Sequence, residues 1–194
     1  ELTACASRAT RPRANGQAGV GLAAEDHAML RAERTLVDGN TTVGVIAVGS
    51  ETEAEITGCV IRETHPTAGG YWGRAVEANG GASLRATATL MDHSAEIGAV
   101  ALDATTRLVL IDSVVTDVAP GRRGLGVGVG AGGGASLDAT RLAVARVAGA
   151  GVAAVENASR VTARDVFVRG VRRSTVRFSE DGNTVTPDGA SVAY

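Results

Sequence analysis

The segment "GLGVGVGAGGGASLDAT", residues 124–140, decides how the rest of this chain is interpreted. Gly128, Gly130 and Gly133 satisfy the G-x-G-x-x-G pattern of a dinucleotide-binding loop. That loop requires a helix after the glycines and an acidic residue about 20 positions later. Here the glycines lead into "ASLDAT", which alternates like a β-strand, and the counterpart at 73–84 reads "GRAVEANGGASL" without the pattern. We therefore predict that these glycines form corners of a repeating β-structure and bind no phosphate.

The chain contains a second copy of this segment and of the segment that follows it. "GRAVEANGGASLRAT" (73–87) matches "GVGVGAGGGASLDAT" (126–140), and "GAVALDATTRLVLIDSVV" (98–115) matches "GVAAVENASRVTARDVFV" (151–168). Each unit begins with a glycine, and successive units start 25, 29, 25, 28 and 25 residues apart. The leading glycines are Gly19, Gly44, Gly73, Gly98, Gly126 and Gly151.

Within each unit, apolar residues recur at every second position, which indicates strands with one buried face. The first strand is predicted to centre on Leu22, Val48, Val76, Leu102, Val129 and Val155. The second strand carries the pairs Leu30/Ala32, Ile56/Gly58, Leu84/Ala86, Leu108/Leu110, Leu137/Ala139 and Val161/Ala163. A third apolar position follows at Val37, Met91, Val115, Val144 and Val168, and the unit from Gly44 slips here because its apolar residue is Ile61.

Such a unit cannot bury its apolar side alone, whereas stacked units share one continuous core. We therefore predict an all-β fold, a right-handed parallel β-helix (β-solenoid) of about seven coils of 24–29 residues. Residues 1–175 form the β-helix, and residues 176–194 form a C-terminal cap or the start of a further coil. A β-propeller or sandwich is the alternative, but its antiparallel hairpin signals are weak.

The composition narrows the class of function. The chain has 194 residues, 26 of them glycine and only 3% aromatic, so its core is built from small side chains. A net charge of −2 argues against a nucleic-acid partner. No apolar run approaches the roughly 18 residues of a membrane span, so we predict no direct membrane insertion. Because the first residue is Glu1 and not Met, we expect a processed form or an excised segment.

The units alternate between long and short connections. The long segments are residues 10–19, 62–73 and 116–126, and the turns between them are short. In a stacked structure the long loops lie on one edge at every second coil, about 9.6 Å apart. Loops on a rigid scaffold are where function usually resides, so this edge is the candidate site.

Aromatic and basic residues concentrate on this edge. Trp and Tyr rings stack on sugars, and arginine donates paired hydrogen bonds to carboxylates or sulfates. We therefore predict a binding site for an acidic glycan or a protein partner. Its residues are Tyr71, Trp72, Arg74, Arg122 and Arg123. Two alternatives stay open: Trp72 only pins its own loop to the wall, or the edge packs against another part of the parent protein or another copy.

The repeat resembles the right-handed parallel β-helix repeat family, which includes pectate-lyase-like enzymes, phage tailspikes and bacterial surface proteins. The phrase "RETHPTAGGYWGRAVEANGGASL" (62–84) is similar to repeat arrays in large secreted or lipid-anchored proteins of myxobacteria and other high-GC bacteria. The resemblance implies a secreted or cell-surface location and no established activity. We expect a non-catalytic structural or adhesive scaffold, with a polysaccharide lyase or hydrolase as the alternative.

Few residues offer catalytic chemistry. A lyase of this fold needs acidic residues near a basic one, and Asp112 and Asp165 occupy equivalent positions with Arg141 between them. We interpret these three residues as a ladder of opposite charges on adjacent coils, since such ladders are ordinary on parallel strands. No catalytic residue and no cofactor is predicted.

Histidine and cysteine positions suggest neither a metal site nor a disulfide. His27, His65 and His93 fall at different positions of the coil, so they do not converge on one metal ion. Cys5 and Cys59 occupy the same position two coils apart, which exceeds the roughly 7 Å Cα separation that a disulfide allows. We expect both to be free thiols.

Overall fold

The structure is a computed structural model that describes residues 1–12, 19–122, 124, 126–156 and 158–171, together with the backbone of residues 184–188 and 191–192. Its strands form three parallel sheets, named A, B and C here. Consecutive strands along the chain belong to different sheets, so the chain winds as the predicted all-β parallel β-helix. Within the described part, no helix is long and apolar enough to cross a membrane.

Sheets A and B contain eight strands each, and sheet C contains six. Sheet A consists of β1 (Leu2–Thr3), β4 (Met29–Glu33), β7 (Glu53–Thr57), β10 (Ser83–Thr87), β13 (Arg107–Ile111), β16 (Ser136–Thr140), β19 (Arg160–Arg164) and β21 (Thr184–Asp188). Sheet B consists of β2 (Ala6–Arg8), β5 (Leu36–Asp38), β8 (Val60–Thr64), β11 (Leu90–Ser94), β14 (Val114–Val118), β17 (Ala143–Val147), β20 (Phe167–Arg169) and β22 (Ser191–Val192). Sheet C consists of β3 (Leu22–Glu25), β6 (Val43–Val48), β9 (Arg74–Asn79), β12 (Ile97–Leu102), β15 (Val127–Gly132) and β18 (Ala150–Ala154).

The length of the coil alternates as the long and short connections require. In sheet A, Leu2 lies beside Ala32, Ala32 beside Ile56, and Ile56 beside Ala86, which gives coils of 30, 24 and 30 residues. The extra residues leave the wall between sheets B and C, in the segment 65–73 and, among the described residues, at 119–122, 124 and 126. The long loops of the described coils therefore lie along one edge.

The glycine-rich stretch 126–140 is part of the wall. Residues 127–132 form β15, a three-residue turn follows, and residues 136–140 form β16. Gly133 in the turn has φ = +63°, a conformation that glycine adopts without steric cost. The segment is therefore a strand, a corner and a strand, as predicted.

The register differs from the one predicted by aligning the leading glycines. Val76 of β9 lies beside Val45 and Ala99, not beside Val48 and Leu102. In β7 the inward pair is Ala54/Ile56 and not Ile56/Gly58, because Ala54 lies beside Leu84. The predictions for Val48, Leu102 and Val155 as strand centres, and for Ile56/Gly58, were therefore wrong.

The cause of the error is that glycine serves two purposes in alternate coils. Gly73 lies three residues before Val76, at a corner where φ is +97°. Gly44 lies one residue before Val45, inside the wall, where an added Cβ would be 2.5 Å from Cγ2 of Ile61. With the correct alignment Ile61 lies beside Met91, and the unit from Gly44 does not slip.

A column of small residues in sheet C packs against a column of larger ones in sheet B. The small residues are Gly21, Gly44, Ala75, Gly98, Gly128 and Gly151, and the larger ones are Val37, Ile61, Met91, Val115, Val144 and Val168. An added Cβ at the glycines would come within 2.3–2.5 Å of a β-branched side chain. The single alanine belongs to the coil with unbranched Met91, so small and large residues are matched coil by coil.

Candidate binding edge

Two long loops that are two coils apart touch each other directly. The backbone N–H of Arg122 donates to the carbonyl of Gly70 at 3.1 Å, and its Nη1 donates to the carbonyl of Gly69, also at 3.1 Å. The guanidinium carbon of Arg122 lies 5.1 Å from the centre of the Tyr71 ring. The loop at 65–73 and the described residues 119–122 of the next long loop thus form one continuous surface, called the binding edge below.

The loop around Tyr71 is closed by its own hydrogen bonds. The N–H of Thr67 donates to the carbonyl of Tyr71 at 2.9 Å, and the N–H of Gly70 donates to the carbonyl of Thr67 at 2.8 Å. An added Cβ at Gly70 would lie 3.2 Å from Cβ of Arg122, and its φ is +77°. Glycine at this position therefore lets the second loop approach the first.

Trp72 follows directly and is also held by an arginine. Its ring lies 4.8 Å from the guanidinium carbon of Arg74, and its backbone has φ = +72°. The Trp72 residue is 41% exposed and Tyr71 is 42% exposed. Two partly exposed aromatic residues therefore each have a guanidinium over the ring.

Arg74 is engaged by two glutamates that sequence analysis did not select. Its Nε donates to Glu96 at 3.2 Å and its Nη1 donates to Glu77 at 3.0 Å. The side chains of Glu77 and Glu96 are 1% and 11% exposed, and Asn79 donates to the second oxygen of Glu77 at 2.8 Å. One guanidinium thus pairs with two buried carboxylates through Nε and Nη1, and it also lies against the Trp72 ring.

A sequence signal for Glu77 does exist once the register is correct. The neighbours of Glu77 in its column are Ile46 and Val100, and the next coil has Gly130. A carboxylate in an otherwise apolar column needs a partner, and Arg74 lies three residues earlier on the same strand. The misplaced alignment of Val48 with Val76 hid this column.

The predicted edge residues divide as follows. The structure brings Tyr71, Trp72, Arg74 and Arg122 together on the binding edge. Arg123 lies outside the described residues. Of these four, Arg122 is exposed, and no described contact pairs its guanidinium with a carboxylate.

The charge ladder on the wall is present. Arg141 donates through Nη2 to Oδ2 of Asp112 at 2.8 Å, and both side chains are about half exposed. This hydrogen bond lowers the pKa of Asp112, and Asp165 adds an electrostatic attraction for Arg141 from the other side. The three residues therefore form a surface ion ladder, which matches the structural interpretation.

The histidines and cysteines are dispersed. His27 lies 3.3 Å from Glu51, and His93 lies 2.8 Å from Asp92, whose hydrogen bond raises the pKa of His93. Cys5 is exposed and Cys59 is buried, and burial raises the pKa of the Cys59 thiol. Both cysteines are free thiols.

A scan against protein-family models, a search of curated proteins and a search of solved structures each found no match.

Proposed function

We propose that this chain is a non-catalytic β-solenoid module of an exported bacterial protein, secreted or held at the cell surface. It acts as a structural and adhesive scaffold and presents the binding edge to a glycan or a protein partner. The observation that carries the proposal is the pair of exposed rings, Tyr71 and Trp72, each fixed by a stacked guanidinium.

Rigid presentation supports a binding role for this edge. Loops that are already ordered lose less conformational entropy when a ligand binds. The loop of Tyr71 is held by internal hydrogen bonds and by Arg122 of the next long loop. Exposed aromatic rings offer flat apolar faces to the C–H side of a sugar or to an apolar side chain of a protein.

The residues of the edge have different roles in this proposal. Tyr71 and Trp72 supply the stacking faces, and Arg122 supplies donors for a carboxylate or sulfate. Arg74 is a positioning residue, since its Nε and Nη1 donate to Glu96 and Glu77. An acidic glycan would thus meet its main counter-charge at Arg122.

A carbohydrate-active enzyme is the alternative, with acid and base groups from the wall. Asp112 and Arg141 are its best pair in the sequence, but their side chains hydrogen-bond to each other. They are 47% and 55% exposed. A pair on the open wall lies in contact with water on one side, whereas general acid–base groups work best where water is excluded. We therefore favour binding over catalysis.

The first test is binding to a glycan array, with Trp72→Ala and Arg122→Ala beside the wild type. Arg85→Ala removes an exposed arginine from sheet A and is the matched control. We expect binding to acidic glycans that each edge variant weakens at least about 10-fold, a loss of about 1.4 kcal/mol, while the control binds normally.

Two outcomes would overturn parts of this proposal. No glycan binding at high protein concentration would remove the glycan partner and leave protein contact or a spacer role. Cleavage of a bound polysaccharide, measured as new reducing ends or unsaturated products, would favour the enzyme.

A further inference from the structure

We propose that Asp92, His93 and Asp117 bind a divalent transition-metal ion on sheet B. The sequence predicts no metal site because the three histidines do not converge. The structure instead brings one histidine to two aspartates, with one donor atom from each within 4.8 Å of the others. This inference goes beyond the proposed function and does not depend on it.

The register of the coils creates this cluster. Asp92 of β11 lies beside Thr116 of β14, so His93 and Asp117 occupy the same position of successive coils. Both have left-handed backbones, with φ of +51° and +56°. Successive coils are about 4.8 Å apart, so the two side chains leave the wall side by side.

The donor atoms have separations that suit a metal ion. Nδ1 of His93 lies 2.8 Å from Oδ1 of Asp92. At metal–ligand distances of about 2.1 Å, the tetrahedral geometry of zinc places two donors about 3.4 Å apart. The first pair must therefore open by about 0.6 Å, and Asp117 must move by up to about 1.4 Å to join it.

Neighbouring charged residues both favour and oppose the binding of a metal ion. Glu63 occupies the same position as His93 one coil earlier and adds a third negative charge near the imidazole. Arg146 opposes binding, because it donates from Nε to Oδ1 of Asp117 at 2.7 Å and from Nη2 to Oδ2, to which the Thr116 hydroxyl also donates at 2.9 Å. A carboxylate has about four lone-pair sites, so these three hydrogen bonds leave Asp117 one site for a metal ion.

The donor set selects the class of ion. Imidazole suits Zn²⁺, Ni²⁺ and Cu²⁺, and the two carboxylates are compatible with each. Ca²⁺ prefers six to eight oxygen ligands, so this cluster is a poor calcium site. The side chains of His93, Asp92 and Asp117 are 55%, 26% and 24% exposed, which leaves room for water to complete the coordination.

The test is isothermal titration of the purified chain with zinc chloride and, separately, nickel chloride. His93→Gln removes the nitrogen donor at an exposed site, and His27→Gln is the matched control, a histidine next to the single carboxylate Glu51. We expect one site per chain in the wild type and in the control. We expect at least a 10-fold weaker site in His93→Gln, with unchanged circular dichroism.

Arg146→Gln distinguishes a metal site from an ion ladder. Removing the competing cation frees Asp117, so metal affinity should rise several-fold even if stability falls. Wild-type affinity in His93→Gln, loss of binding in His27→Gln, or no heat of binding up to millimolar metal would overturn the proposal. Unchanged or weaker binding in Arg146→Gln would overturn the assignment of Asp117 as a ligand.

Discussion

Two neighbouring coils, residues 73–95 and residues 96–118, use equivalent positions in different ways. Inside the wall the first coil has Ala75 with Met91, and the second has Gly98 with Val115. On the outer side of sheet C the first has buried Glu77 and the second has Val100. The two coils keep the same backbone register despite both differences. Each difference must therefore be compensated within its own coil.

In this fold, an unusual residue in the wall is compensated by a partner residue in the same coil. Unbranched Met91 accompanies the extra methyl of Ala75, and Arg74 accompanies the carboxylate of Glu77. At the position of Arg74 the second coil has apolar Ile97. A residue moved between the coils without its partner should therefore be costly, and moving the partner too should recover stability.

The largest expected effect is that of Val100→Glu. Val100 is 3% exposed and lies beside Glu77, so the new carboxylate would be buried, unpaired and next to a like charge. We expect a loss of about 3 kcal/mol in the free energy of unfolding, measured by urea denaturation. Adding Ile97→Arg should recover part of it. Val100→Gln is the neutral control, and equal losses for Glu and Gln would show that shape, not charge, sets the cost.

A smaller effect is expected from Gly98→Ala. The new Cβ would lie 2.3 Å from Cγ1 of Val115 and 2.6 Å from the carbonyl oxygen of Gly128, so the wall must shift, at a cost of about 2 kcal/mol. Adding Val115→Met recreates the pair of the first coil and should restore part of the loss. Gly130→Ala, whose nearest contact would be 3.3 Å, is the control. A loss as large in Gly130→Ala would contradict the matching of the two columns.

The smallest effect concerns acid and Asp117 in the second coil. Its hydrogen bonds with Arg146 lower the pKa of Asp117 to about 2 from an ordinary 3.8. The stabilisation is therefore complete above about pH 4 and is lost as the pH falls through 2. We expect the free energy of unfolding of Asp117→Asn, measured by urea denaturation at each pH, to fall less between pH 4 and pH 2 than that of the wild type. An unchanged slope would mean that other carboxylates control this range.

The sequence was sufficient for the fold because the repeat supplies many independent copies of one pattern. The alternation of Leu84/Ala86 and Leu137/Ala139 predicts strands whose inward residues do line the core. The alternation of long and short connections predicted the common edge. The register of the coils that begin at Gly44, Gly98 and Gly151 was predicted wrongly. Glycine is needed both at corners and opposite β-branched side chains, and the sequence does not show which of the two roles a given glycine has.

The candidate site was predicted only in part. Tyr71, Trp72 and Arg122 could be selected as unusual residues in long loops, and the structure brings them together. The role of Arg74 depends on Glu96, a residue of the following coil, and the cluster of His93 depends on Asp117, also one coil later. The first contact was concealed by the three-residue shift in the alignment of sheet C. The second was not, since sheet B was aligned correctly here, and it was missed because the histidines were compared only with one another.

The contact between Arg122 and the carbonyl of Gly70 has a consequence for how such a chain can change its length. Adding or deleting two coils would keep a long loop against the loop of Arg122. Adding or deleting one coil would place that loop against a short turn and leave the hydrogen bonds of Arg122 without these acceptors. The pair of coils, which spans 54 residues from Gly19 to Gly73, is therefore the unit by which such a chain can lengthen and keep this contact.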